Sequence, residues 1–163
     1  MRPGLTACLT ATGEPGCVMS KREAFLELVA IVVHDYDAAI RFFVDILEFE
    51  LLQDSPDVAT DGRPKRWVVV RPPGAQTGLL LARADGERQE AVVGNQHAGR
   101  VGFFLRVADF AARYELMVAA GVEFVRPPRT EPYGQVAVFV DIAGNRWDLL
   151  GPARTRSVEE GEE

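Results

Sequence analysis

The stretch LVAIVVHDYDAAIRFFVDIL, residues 28–47, decides how the rest of the chain is interpreted. Its first six residues are apolar and mostly β-branched, a pattern typical of a short strand that is covered on both faces. Asp35 follows shortly after and can cap a helix, in which the apolar residues recur at steps of three and four. The stretch therefore predicts a central strand, Leu28–Val33, followed by an amphipathic helix.

Three further strands are predicted downstream, at Phe49–Gln53, Arg66–Arg71 and Gly78–Ala84. The segments DGRPK and PPGAQT between them carry the residues that favour turns. The first half of the chain is thus predicted to have the order β-α-β-β-β.

The same order returns in the second half. Val101–Val107 predicts a strand, Asp109 can again cap a helix, and Gly121 is a typical residue at which a helix stops. The strands expected after this helix are Val122–Arg126, Gln135–Asp141 and Arg146–Leu150. The repeated order indicates a tandem duplication, in which each half has an apolar sheet face that the other half covers.

Composition limits the classes of function. The chain has 163 residues, 47% of them hydrophobic and 26% charged, which indicates one well-filled domain. Its net charge of -6 gives no basic field for nucleic acid, and no apolar run is long enough for a membrane span. Cys8 and Cys17 both precede the patterned region, which fits a cytoplasmic protein without a disulfide framework. A small-molecule ligand is the expected partner.

The pattern divides the chain into three parts. We expect a flexible extension at residues 1–24, a folded domain at residues 25–152, and an acidic disordered tail at residues 153–163. Within the domain, module one spans 27–84, a polar linker spans 85–99, and module two spans 100–152.

Two segments carry a family resemblance. VVHDYDAAIRFFVDILEFELL and FVDIAGNRWDLL, within Glu27 to Pro152, resemble the glyoxalase, bleomycin-resistance and extradiol-dioxygenase superfamily, also called the vicinal oxygen chelate superfamily. The resemblance implies an α+β fold of two βαβββ modules whose curved sheets form an open, barrel-like cavity. It also implies a homodimer, the state of many members.

The resemblance further implies a divalent metal, held by ligands on the first and last strands of each module. Those positions fall here on Leu28, on Leu80 to Ala82, on Gly102 and on Asp148, and only Asp148 has a donor side chain. Because a metal site needs about three or more protein donors, the sequence predicts no metal and no other cofactor. His34 and His97 are expected at the surface.

Strand alternation identifies candidate cavity residues. The residues expected to face the cavity are Leu28, Ala30, Val32, Gly102, Phe104, Arg106, Arg146, Asp148 and Leu150. Phe104, Arg106, Arg146 and Asp148 are candidate ligand contacts, together with Gln96 at the pocket mouth. An alternative is that Arg106, Arg146 and Asp148 simply pair with one another.

Glu131 and Tyr133 lie in the segment EPYG, which is expected to lead through a long connection over the cavity into the seventh strand. With Asp148, they are the candidates for ligand contact or acid-base catalysis. The alternative is a plain turn with Tyr133 packed beneath it. Trp67 and Trp147 are expected in the core because each lies within an apolar run.

Three functions remain open at this point. The preferred one is a metal-independent protein that binds a small molecule, as in the bleomycin-resistance branch. The second is a metal-dependent glyoxalase-like lyase or ring-cleaving dioxygenase, whose ligands lie elsewhere in the sequence. The third is a metal-free isomerase or lyase that uses Glu131, Tyr133 or Asp148 as its base.

Overall fold

Two four-stranded sheets and a few short helices form residues 24–152, the part of the chain that the computed structural model describes. The predicted tail and all but the last residue of the predicted extension lie outside these residues. The strands are β1 (Leu28–Val33), β2 (Glu50–Val58), β3 (Pro64–Arg71), β4 (Gly78–Arg83), β5 (Val101–Arg106), β6 (Phe124–Glu131), β7 (Gly134–Val140) and β8 (Arg146–Leu150). The helices are α1 (Tyr36–Arg41), which continues as a π-helix (Phe42–Ile46), α2 (Glu87–Glu90) and α3 (Phe110–Ala119).

Both sheets have the same strand order. The first is β1-β4-β3-β2 and the second is β5-β8-β7-β6. In each sheet the first strand runs parallel to the last strand of its own module, and the other pairs are antiparallel. The two predicted βαβββ modules are therefore confirmed. The two sheets are separate and are not closed into a barrel.

Aspartate caps start the two main helices, as the sequence predicts. Asp35 Oδ1 accepts a hydrogen bond from the Ala38 N–H at 2.8 Å, and Asp109 Oδ1 accepts one from the Ala112 N–H at 3.0 Å. Each carboxylate satisfies an N–H that has no partner within its helix. No helix in residues 24–152 is long and apolar enough to cross a membrane.

The two modules share one core. Each sheet contributes alternate residues to it: Ile31 and Val33 from β1, but not Ala30, and Trp147 from β8, but not Asp148. The ring of Phe43, which follows α1, lies 5.9 Å from that of Trp147 and so joins module one to module two. Both sheets therefore turn one face inward to the same core. We call the opposite faces the first open face (module one) and the second open face (module two).

Strands β2 and β6 run further than their sequence predicts. Predicted to end at Gln53 and Arg126, they continue to Val58 and Glu131 because each pairs with the neighbouring strand up to the hairpin turn. Both are edge strands with mostly exposed side chains, so no burial pattern marks them in the sequence.

Candidate ligand-binding site

One row of side chains crosses the second open face. Phe104 of β5 is the register partner of Asp148 of β8, Asp148 is that of Val138 of β7, and Val138 is that of Arg126 of β6. Register partners project from the same side of a sheet. Phe104 is 64% exposed, whereas Val138 is only 3% exposed. We call these four residues the Asp148 row; it combines an exposed aromatic ring, a carboxylate and a guanidinium.

A second row on the same face adds two more arginines. By the same register argument it consists of Arg106, Leu150, Val136 and Arg129. Arg106 Nη1 donates to the Gly151 carbonyl at 2.8 Å, and Arg129 Nε donates to Glu131 Oε1 at 2.8 Å. The second open face is therefore rich in guanidinium groups.

Asp148 stands among these arginines without a direct partner. Burial raises the pKa of the half-buried Asp148 carboxyl, and the nearby Arg129 and Arg126 guanidinium groups oppose that rise. Within residues 24–152, its side chain forms no hydrogen bond or ion pair. Its oxygens remain available as acceptors on the second open face.

The alternative in which Arg106, Arg146 and Asp148 pair with one another is not observed. Arg106 reaches the Gly151 carbonyl, and Arg146 Nη1 donates to the Gly99 carbonyl at 3.0 Å. Both arginines bind backbone carbonyls just outside the strands, and neither pairs with the Asp148 carboxylate.

The first open face has Trp67 at its centre. Cavities of about 570, 400 and 340 Å³ all border this side chain. The prediction that Trp67 fills the core is wrong, because β3 sends Val68 and Val70 inward and Trp67 to the opposite side. Trp147 does lie in the core, where its Nε1–H donates to Asp141 Oδ2 at 2.9 Å.

The EPYG segment is a tight turn and not a long connection. β6 runs through Glu131, which pairs with Gly134 at the start of β7. A Cβ on Gly134 would lie 2.6 Å from the Gly151 carbonyl oxygen, and its φ is +129°, so glycine alone fits there. Tyr133 at the tip is 52% exposed instead of packed beneath the turn.

Gln96, expected at a pocket mouth, has its side-chain amide bound to β1. Its Oε1 accepts from the Val32 N–H at 2.9 Å, and its Nε2 donates to the Ala30 carbonyl at 3.1 Å. The side-chain amide therefore binds the outer edge of β1, as a backbone amide of a neighbouring strand would. It ties the linker to module one, and these two hydrogen bonds engage both ends of its amide.

His97 and Gly102 also differ from expectation. Gly102 lies at a register shift in β5, and the His97 ring occupies the place where a Cβ of residue 102 would project, 2.1 Å from His97 Cδ2. The ring packs edge-on against Phe103, with 5.0 Å between centroids. The His97 side chain is half-buried and packs against β5, whereas His34 is exposed and contacts Glu90.

The positions that the resemblance assigns to metal ligands do not fit a metal. Leu28 and Gly102 have no donor atoms, and Leu80 to Ala82 of β4 are apolar. Asp148 alone could bind a cation. Within residues 24–152, no three His, Cys, Asp or Glu side chains lie close enough to hold a metal ion together.

Sequence reasoning missed Arg126 and Arg129. Three positions apart, they would project from opposite faces of a regular strand. The register of β6 shifts between them, at Pro127 and Pro128, so that Arg126 pairs with Val138 and Arg129 with Val136. Since proline has no N–H for the ladder, the double proline is the signal that could have indicated this bulge.

Comparisons with known proteins agree with this architecture. The family model of the Glyoxalase/Bleomycin resistance protein/Dioxygenase superfamily matches residues 26–149. A protein of Shewanella frigidimarina (strain NCIMB 400) is 50% identical over 123 residues, which cover 75% of this chain and 89% of that protein.

Two solved structures are also similar. The crystal structure of UcmS2 has a TM-score of 0.66 and 30% identity, and covers 78% of this chain and 98% of its own. TnmS3, an antibiotic binding protein from Streptomyces sp. CB03234, has a TM-score of 0.63 and 28% identity, and covers 81% and 98%. With the two βαβββ modules and the family match over most of its length, this chain belongs to the glyoxalase/bleomycin resistance protein/dioxygenase superfamily.

Proposed function

We propose that this chain is a cytoplasmic protein that binds a small organic molecule without a metal or other cofactor. The observation that carries the proposal is the Asp148 row, which offers an exposed ring, a guanidinium and, at the one family ligand position with a donor side chain, a carboxylate without a partner among residues 24–152. Such a mixture of apolar surface and a few polar groups is typical of ligand sites. The similarity to TnmS3, an antibiotic binding protein, supports binding as the activity.

We also propose that the site is completed in a homodimer. Trp67 lies on the first open face and Asp148 on the second, and both faces are turned away from the shared core, so they do not face each other within one chain. A second copy can place its first open face over the second open face of this chain, which gives two equivalent sites by symmetry.

Proton transfer at Asp148 is a second candidate function. The raised pKa and the absence of a hydrogen-bond partner within residues 24–152 favour a carboxylate that exchanges a proton with the ligand. In that case, Asp148→Asn would still bind ligand but would no longer convert it.

The test is a binding screen of the full chain against glycopeptide antibiotics, aromatic acids and diketones, followed by intrinsic tryptophan fluorescence. We expect saturable binding by a dimer that EDTA does not weaken. Phe104→Ala should weaken it at least tenfold, since it removes the exposed ring of the site. Leu116→Ala, which removes a similarly exposed apolar side chain from α3, should have no effect.

Two results would contradict the proposal. One is the absence of saturable binding anywhere in the screen. The other is a stoichiometric metal in protein purified without a histidine tag, if EDTA removes both the metal and the binding; that result would favour the metal-dependent lyase or dioxygenase.

A further inference from the structure

We propose that the ligand is an organic anion with a flat ring system, that Arg126 receives its anionic group, and that Asp148 accepts a hydrogen bond from a neutral hydroxyl at the other end. This inference rests on the proposed function and deepens it, because it names the chemical class of the ligand. It depends on three features of the second open face: its local charge, the availability of two groups, and their spacing.

The local charge has the opposite sign to that of the whole chain. The chain carries a net charge of -6. The second open face carries four arginines, Arg106, Arg126, Arg129 and Arg146, against two carboxylates, Asp148 and Glu131, which is an excess of two positive charges (4 − 2). A positive face on an acidic protein attracts an anion and repels an amine.

Arg126 differs from the other three arginines of this face because its guanidinium donors are not used by other described residues. Arg106 and Arg146 donate to backbone carbonyls, and Arg129 donates to Glu131. Within residues 24–152, Arg126 has neither an ion pair nor a side-chain hydrogen bond. Its guanidinium N–H groups can therefore bind a carboxylate through two parallel hydrogen bonds, the bidentate geometry that guanidinium favours.

Spacing indicates a ligand that bridges two groups. Asp148 and Arg126 lie in one row on strands that are two steps apart, about 10 Å between Cα atoms, with Val138 between them. They form no direct hydrogen bond. Phe104 offers exposed apolar surface to a flat ring at one end of the row, and the buried Val138 separates the carboxylate from the guanidinium.

Asp148 restricts the ligand further. A carboxylate repels a second anion, so the group that meets Asp148 must donate a hydrogen bond without bearing negative charge. The surrounding arginines disfavour an ammonium donor in the same place. A hydroxyl satisfies both conditions.

The experiment uses four matched probes in calorimetric titrations of the full chain: 6-hydroxy-2-naphthoic acid, its methyl ester, 2-naphthoic acid and methyl 2-naphthoate. We expect the hydroxy acid to bind at least tenfold more tightly than its ester. Arg126→Gln should abolish this preference and leave the affinity for the ester within twofold. Arg41→Gln, at an exposed arginine of α1, is the matched control and should change nothing.

Asp148→Asn tests the other end of the ligand. It should reduce the advantage of the hydroxy acid over 2-naphthoic acid at least fivefold while both acids keep their preference over their esters. An unchanged advantage would overturn the role of Asp148.

The remaining outcomes separate this inference from the proposed function. Equal binding of acids and esters would overturn the anionic ligand while leaving small-molecule binding intact. If none of the four probes binds, the ligand class is wrong, and the screen described above then decides the proposed function by itself.

Discussion

Asp148 is a single residue whose protonation can be measured in the free protein. Burial raises its pKa, so the folded state holds this proton more tightly than the unfolded state does. The stabilisation from this group is therefore complete below its unfolded pKa and is lost as the pH rises through the raised value. We expect Asp148→Asn to raise the melting temperature at pH 7 and to lose that advantage near pH 3.5.

Thermal unfolding of both proteins between pH 3.5 and 7.5 checks this expectation. Asp45→Asn, at an exposed carboxyl after α1, serves as the control for the replacement of an aspartate by asparagine. A constant difference between Asp148→Asn and the parent protein at every pH would contradict the assignment.

Some residue roles can be predicted from the neighbouring sequence and others cannot. Asp35 and Asp109 could be predicted as caps, because a cap depends on atoms within three or four residues. Trp67 and Arg126 could not be assigned to the open faces, because strand register and bulges determine the side of the sheet from which their side chains project. Strand alternation therefore groups Phe104, Arg106, Arg146 and Asp148 on one face, as the register has them, but it does not add Arg126 or Trp67.

At the scale of elements, the linker and β5 are fitted to one another at Gly102. A Cβ at this position would lie 2.1 Å from His97 Cδ2, within a ring that also packs on Phe103. Gly102→Ala should therefore lower the free energy of unfolding by about 1–3 kcal/mol through overpacking. Urea denaturation measures the change.

His97→Ala provides the control for this prediction. It removes the ring that the new methyl group meets, so the double variant should lose less stability than the sum of the two single variants. Additive losses would mean that the methyl group clashes elsewhere or not at all.

The contacts of the linker could not be predicted from its sequence. Its polar sequence, residues 85–99, indicates a plain connection, but Gln96 binds the edge of β1 and His97 packs on β5. Neither contact has a periodic signal, because each depends on a strand that is distant in sequence or reached through a turn.

For the whole molecule, the internal repeat predicts the two modules, while their mutual arrangement depends on the packing of side chains from both. Phe43 is fully buried after α1, and its ring lies 5.6 Å from Phe49 and 5.9 Å from Trp147. One core that includes both modules should unfold as one cooperative unit.

Phe43→Ala tests this cooperativity, because it removes a large side chain from module one at its contact with module two. We expect it to lower the free energy of unfolding by about 3–5 kcal/mol.

The chain has two tryptophans, one in each module, so Trp67→Phe leaves a signal from module two and Trp147→Phe one from module one. In both backgrounds, Phe43→Ala should shift the urea midpoint by the same amount, while Arg41→Ala, exposed on the same helix, should shift neither. If the Trp67 signal moved and the Trp147 signal stayed, the modules would unfold independently, and a single shared core would no longer fix the arrangement of the two open faces.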